Sequence, residues 1–222
     1  YQSTNPLILP LMMLLGILGG MLWAGIPALL KTRFNANEIL VSLMLVYVAE
    51  LLLIHLVQGP WRNPQGWGFP GTRMFPDAAL MPMLVSGYRV HLGTLIAFLV
   101  PLVVWFVLSK TSFGFHIRVY GSAPHAARHA GIGQKEMVWT TLLIGGGLAG
   151  LAGAMEATST IGQLMPKISP GYGFTAIIVA FLGRLHPVGV VLAGFAIAVT
   201  YIGGEGAQIS AGLPKAVTGL FQ

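Results

Sequence analysis

Cysteine is absent from the 222 residues, so disulfides, thiolate metal sites and thiol catalysis are excluded, and the redox compartment is left unread. Charge is scarce too. Asp, Glu, Lys and Arg make up 8% of the chain against 55% hydrophobic residues, too few to coat a soluble globule of this size. With a mean hydropathy of +0.78, the bilayer is the expected solvent. Acidic residues are the rarer sign, six against twelve basic, for a formal charge of +6. In a soluble protein that excess would suggest nucleic acid. Here the basic residues lie mainly between apolar runs, where they act as orientation signals, and no nucleic-acid partner is expected. The chain also lacks a G-x-x-x-x-G-K-[ST] phosphate loop, H-E-x-x-H, a G-x-S-x-G elbow and a paired-carboxylate site. It is therefore expected not to be an enzyme, to hold no metal or cofactor, and not to cradle ATP itself. It starts at Tyr1 without an initiator Met or a charged leader, and is read as incomplete at both ends.

What is present is length of apolar run. A helix needs about 20 apolar residues to cross a hydrocarbon core of roughly 30 Å. Residues 7–30, 39–57, 91–109 and 137–156 qualify, and a fifth span, 188–204, follows "GRLHP". The run 173–183 is too short to cross as a straight helix. It reads as a half-helix or re-entrant piece, tolerated only when buried in protein or lining a wet cavity. The expected fold is an all-α integral membrane protein: a polytopic helix bundle with about five full spans plus a half-helix or re-entrant segment, part of a larger bundle. Residues 1–222 are read as a single transmembrane domain. Small residues four apart, Gly16 and Gly20, Gly146 and Gly150, Ala149 and Gly153, are the spacing that lets helix backbones approach closely in lipid.

Basic residues set the orientation. Lys31 and Arg33 lie in the first connection, and Lys110, Arg118, Arg128 and Lys135 in the third, which places both on the cytoplasmic side. The second connection, residues 58–90, then faces outward. Its "GPWRNPQGWGFPGTRMFP" carries prolines and glycines that forbid a long helix and tryptophans suited to headgroups, so an ordered loop on the membrane is expected. The half-helix returns the chain, bringing Arg184 and His186 inside. Residues 205–222 lead back to the outer surface, where "LPKAVTGLFQ" looks like the start of a further helix.

One polar stretch interrupts this pattern. In "GSAPHAARHAGI" Ser122 is placed to cap free amides, Pro124 suits the first turn, and Gly131 suits a left-handed C-terminus, giving a helix of about two turns. His125, Arg128 and His129 share one side at i, i+3, i+4 spacing, as a basic strip facing an aqueous partner or a loop helix resting on headgroups.

Together, "GSAPHAARHAGI", "GGGLAGLAGAME" and "GYGFTAIIVAFLGRLHPVGVVLAG" resemble the permease subunits of ABC importers of the branched-chain amino acid, simple sugar and nucleoside class. "NANEILVSLMLVYVAELLL" and "GPWRNPQGWGFP" extend the likeness toward the nucleoside/simple-sugar branch. The resemblance implies a multi-pass protein of the bacterial cytoplasmic (inner) membrane that lines a substrate pathway. Its partners would be two cytoplasmic ABC ATPase subunits that hydrolyse the ATP, a second permease subunit in a homo- or heterodimer, an external solute-binding lipoprotein, and membrane lipid. Where the family often carries Asn, this chain has Val46, in "LMLVY". Short cytoplasmic segments of such permeases dock into clefts on the ATPases. Two stretches compete for that role: Gly183, Arg184, Leu185, His186 and Pro187, which the resemblance favours, and Ser122, His125, Arg128 and His129.

For the pathway, Glu50 stands at membrane depth, where an ionisable group is costly and usually faces a cavity or a partner; Tyr47 shares its helical face. A carboxylate beside a phenol suits a sugar or nucleoside hydroxyl, whereas a buried donor or the outer interface would account for Glu50 equally. Phe174, with Tyr172 and Thr175, opens the half-helix, where the N-terminal dipole and aromatic surface suit a polar, ring-bearing solute; core packing explains Phe174 as well. Glu156 and Lys167 are either a pair or two solvated end groups. A contrasting class is an ion-coupled secondary transporter of a small polar solute with Glu50 as its ion site, and a third is a membrane anchor without a pathway, against which a broken helix argues.

Overall fold

The computed structural model describes residues 7–84, 90–169 and 171–211. They form eight α-helices: α1 (Ile8–Phe34), α2 (Glu38–Gln58), α3 (Leu92–Lys110), α4 (Ser112–Ser122), α5 (Pro124–His129), α6 (Gln134–Glu156), α7 (Tyr172–Leu182) and α8 (Pro187–Ala211). Five of these, α1, α2, α3, α6 and α8, are long and apolar enough to cross a membrane, matching the five runs read from sequence. The 11 residues of α7 rise about 16 Å, half a hydrocarbon core. Helix α8 runs on through residue 211, past the span end at 204 read from sequence; "LPKAVTGLFQ" and Arg89 lie outside the described residues.

Helix α1 outlasts its apolar run because Lys31 and Arg33 occupy its last turn, where cations meet the exposed carbonyls. Asn35, in the left-handed region at φ 53°, ends it. Asn37 then opens α2, its Oδ1 accepting from the amides of Ile39 (3.0 Å) and Leu40 (3.4 Å). Across this turn Lys31 Nζ meets Glu38 Oε2 at 2.8 Å.

The chain divides into two compact units, one of Tyr1–Leu95 with Phe115–Ile168, the other of Ile96–Gly114 with Ser169–Gln222. In the first, α1 and α6 run antiparallel with their glycines facing. Gly16 lies against Gly150 and Ala154, Gly20 against Gly146 and Gly150, and Met21 and Ile17 cover Gly147. Further along, the Trp139 ring covers Gly25 and its Nε1 donates to Thr32 Oγ1 at 3.2 Å. Two of the three small-residue pairs read from sequence thus form the seam; Gly153 of the third faces open space.

The described part of the second connection, residues 59–84, is bonded to the end of α6. There the helix widens into a π segment, Ala157–Ile161, followed by Gly162 at φ 67°. Met81 N donates to Thr158 O (3.1 Å), Phe75 N to Gly162 O (2.8 Å) and Thr72 N to Leu164 O (3.0 Å), while Leu164 N returns a bond to Thr72 Oγ1 (3.0 Å). Thr158 is fully buried, its hydroxyl donating to Ala154 O. Trp67 and Phe69 stand out from the loop almost wholly exposed.

In the second unit, α7 and α8 form an antiparallel hairpin, with contacts at Gly183 to Gly189, Val179 to Gly194, and Thr175 Oγ1 to Tyr201 Oη (3.3 Å). An apolar cavity of about 200 Å³ lies between α3 and the start of α8, lined by Phe98, Trp105 and Val188 among others.

Candidate functional site

The α7–α8 turn is held by backbone hydrogen bonds and a close glycine contact. Gly183 ends α7, its amide donating to Val179 O at 2.8 Å, and Pro187 is the first residue of α8, where a missing N–H costs nothing. Between them Arg184 and Leu185 both adopt left-handed backbone, φ 55° and 56°, which costs an L-residue about 1–2 kcal/mol each. Offsetting this, Arg184 N reaches Phe181 O (2.9 Å), Leu185 N reaches Ala180 O (2.9 Å) and His186 N reaches Gly183 O (3.1 Å). The fold holds the turn because Gly183 is buried against the backbone of Gly189 and Val190, leaving no room for a Cβ on either glycine. Arg184, Leu185 and His186 are left exposed, Leu185 to 70%. Gly189, six residues after Gly183 and on the first turn of α8, completes this closure.

The competing stretch, unlike this turn, is helical. Ser122 does not cap α5: it is the last residue of α4, and its hydroxyl donates back to Arg118 O at 2.9 Å, while Ala123 stands at the α5 N-cap without a side-chain bond. The reason is α4 itself, an amphipathic helix unread from sequence, which carries regular backbone through Ser122. Phe113, Ile117 and Tyr120, at i, i+4, i+7, were its signal. Pro124 opens α5 and Gly131 closes it at φ 83°, with Ile132 N donating to Ala127 O (2.9 Å) and Gly131 N to Arg128 O (3.1 Å), as expected. His125, Arg128 and His129 are all exposed, but two are engaged: Arg128 Nη2 donates to Gln134 Oε1, and His129 Nδ1 lies 2.8 Å from His125 O.

The pathway candidates fall in both units. Tyr47 and Glu50 stand on the exposed face of α2, with no hydrogen-bond partner among the described residues, and Val46 is exposed beside them. In the other unit Phe174, 45% exposed, lies in the first turn of α7 after Gly171 at φ 100°. Glu156 and Lys167 form no ion pair among the described residues. Nor do three His, Asp or Glu side chains gather there as a metal site would require.

Five helices long and apolar enough to cross a membrane, with the 11-residue α7 too short to do so, define a polytopic all-α membrane protein. The chain belongs to the family described as the permease component of branched-chain amino acid transport systems, whose model it matches over residues 1–221. It is a multi-pass protein of the cytoplasmic membrane, and its family is one of transport proteins, not enzymes. It is 38% identical, over 97% of its length, to the glucose ABC transporter permease protein TsgB13 of Haloferax volcanii, of which it covers 59%. To the guanosine ABC transporter permease protein NupP of Bacillus subtilis it is 35% identical over 94% of its length, covering 61% of that protein. To the nucleoside ABC transporter permease protein NupB of Lactococcus lactis it is 24% identical over 95%, covering 60%. The chain thus spans about three-fifths of the length of these curated relatives. No solved structure matches it.

Proposed function

We propose that this chain, read as a single permease domain, is the transmembrane subunit of an ATP-driven ABC importer of nucleosides or simple sugars. It forms part of the substrate pathway by alternating access and leaves ATP hydrolysis to separate cytoplasmic subunits. An external solute-binding lipoprotein delivers the solute and a second permease subunit completes the pathway. The observation that carries this reading is the family match across residues 1–221. The names of the relatives, for glucose, guanosine and nucleosides, support the substrate class.

Gly183 to Pro187 is the principal contact with the ATPases in this reading. It is supported by the exposure of Arg184, Leu185 and His186 on a turn that the Gly183–Gly189 contact holds in one shape. A coupling element must transmit displacement, and a turn with fixed backbone does so better than a floppy one. The strip His125, Arg128 and His129 is the secondary contact, with Ser122 reduced to ending α4. Tyr47, Glu50 and Phe174 line the pathway, Tyr47 and Glu50 with polar groups left uncommitted on α2.

Uptake by vesicles carrying the full-length protein and its partners tests the reading. ATP depletion should abolish it, while a protonophore and Glu50→Gln should leave its energy source unchanged. Uptake that collapses with the protonophore at constant ATP would instead establish an ion-coupled carrier. Because these 222 residues hold no cysteine, Arg128→Cys and Arg184→Cys each introduce one thiol to this region, to be labelled against a control without it. Both should react from the cytoplasmic side.

A further inference from the structure

We propose that the cleft between the last turn of α1 and the first turn of α6 binds the phosphodiester headgroup of an anionic phospholipid. The cleft is a cavity of about 400 Å³, and its walls include Lys31 and Arg33 from α1 and Gln134 and Lys135 from α6. Cations from both helices converge on it and no carboxylate lines it. Glu38 sits outside the lining and is engaged by Lys31 Nζ. Glu136, one residue past Lys135, also lies outside the lining, with its Oε2 turned toward Gly133, 3.8 Å from where a Cβ there would stand. Arg33 and Lys135 are exposed and have no anionic partner among the described residues. Gln134 Oε1 accepts from Arg128, which brings a fourth cation to the α6 wall. Helix α6, which supplies one wall, also starts without a side-chain cap, and the positive end of its dipole favours an anion there.

What selects a lipid over a free phosphate is the apolar surface beside these charges. Phe34 lines the cavity and is 70% exposed, and Ile39 and Leu40 on the first turn of α2 are exposed to 67% and 62%. Polar donors in a cleft with an apolar shoulder, at the end of a span, match an amphiphile: phosphate within, acyl chain along the shoulder. Span ends lie at headgroup depth, where basic pockets between helices take anionic lipids. Such a site requires only that α1 crosses the bilayer, whichever solute is carried.

Native mass spectrometry of the full-length permease in its complex, with phosphatidylglycerol and phosphatidylcholine supplied in equal amounts, reads this directly. Phosphatidylglycerol should be retained preferentially. Each charge near the site is worth about fivefold, so Arg33→Gln with Lys135→Gln should lower its retention about 25-fold, and Arg33→Lys with Lys135→Arg should preserve it. Unchanged retention in the Gln pair would overturn the site. Displacement of the lipid by an equal concentration of inorganic phosphate would also overturn it, in favour of a soluble anion. Loss of ATPase copurification with lipid retention intact would make this a protein-contact face. Should the Gln pair fail to accumulate, photoactivatable phosphatidylglycerol on the wild-type chain decides: crosslinks must map to residues 31–35 and 134–135, and labels elsewhere refute the assignment. Lipid retention and solute uptake are separate readouts, so failure here leaves the permease reading standing.

Discussion

Gly183 and Gly189 meet backbone to backbone where α7 turns into α8: a Cβ on Gly183 would stand 2.5 Å from Val190 N and 2.6 Å from the Gly189 carbonyl carbon. Neither neighbour is a flexible side chain, so alanine at either position must pry the two helices apart. Gly183→Ala and Gly189→Ala are expected to lower uptake by tenfold or more while the protein still inserts, because the turn shifts without unfolding the spans. Gly194→Ala, whose Cβ would meet only Val179 Cγ1 at 3.7 Å, should transport normally. Equal loss in all three would mean that hairpin packing in general, not this closure, governs transport.

Leu185 combines an exposed apolar side chain with left-handed backbone, and substitutions separate the two. Leu185→Gly relieves the φ strain of about 1–2 kcal/mol and gives back up to about 1 kcal/mol in chain entropy, so thermal stability should hold or rise slightly. Uptake should nevertheless fall if Leu185 makes the ATPase contact proposed above. Leu185→Val keeps an apolar surface but forces a β-branched residue into the left-handed region, and its melting temperature should drop. The pair is read by melting temperature beside uptake in the same preparation. Full transport by the glycine variant would remove Leu185 from the coupling surface.

On the other unit the decisive contrast is between neighbours in sequence. A Cβ on Gly20 would overlap the Gly146 carbonyl oxygen and stand 2.9 Å from Gly150 Cα, whereas one on Gly19 would meet nothing within 4 Å. Gly20→Ala is therefore expected to destabilise the α1–α6 pair by about 1–3 kcal/mol, as overpacking does, and Gly19→Ala to be silent. Thermal unfolding of the detergent-solubilised protein distinguishes them.

The pattern of success between sequence and structure follows from what kind of signal each feature leaves. Span lengths are legible because burial in lipid needs only a run of apolar residues, so α2, read over 39–57, is found at Glu38–Gln58. The shortness of α7 was legible for the same reason. Helix ends depend on single polar residues and moved further: α1 extends past its run through Lys31 and Arg33. Ser122 misled because serine favours an N-cap only when the preceding backbone is not already helical, and α4 had to be recognised first. The loop bonds from Thr72, Phe75 and Met81 to residues 158–164 join residues 77 to 92 positions apart, which no local pattern announces. Among site residues, Arg184, Leu185 and His186 are exposed between buried Gly183 and half-buried Pro187, and Glu50 is exposed on α2, placements that depend on tertiary packing and leave no local mark in the sequence.

Those long-range bonds make the second connection testable by a single hydroxyl. Thr72 both donates its amide to Leu164 O and accepts Leu164 N on Oγ1, each at 3.0 Å, so this residue pair fastens the loop to the end of α6. Thr72→Val keeps the shape and the first bond but leaves the half-buried Leu164 amide without its acceptor, at a cost of about 1–3 kcal/mol. Because the loss is local, global melting should change little. The amides of Leu164 and Phe75 should instead exchange with deuterium faster, by tenfold or more, while amides in the α1–α6 seam keep their rates. Thr72→Ser retains the acceptor and should restore protection. If exchange in Thr72→Val matched the wild type, the loop would be held by its buried residues Ala79 and Met81 alone, and the two-way bond would be incidental to its order.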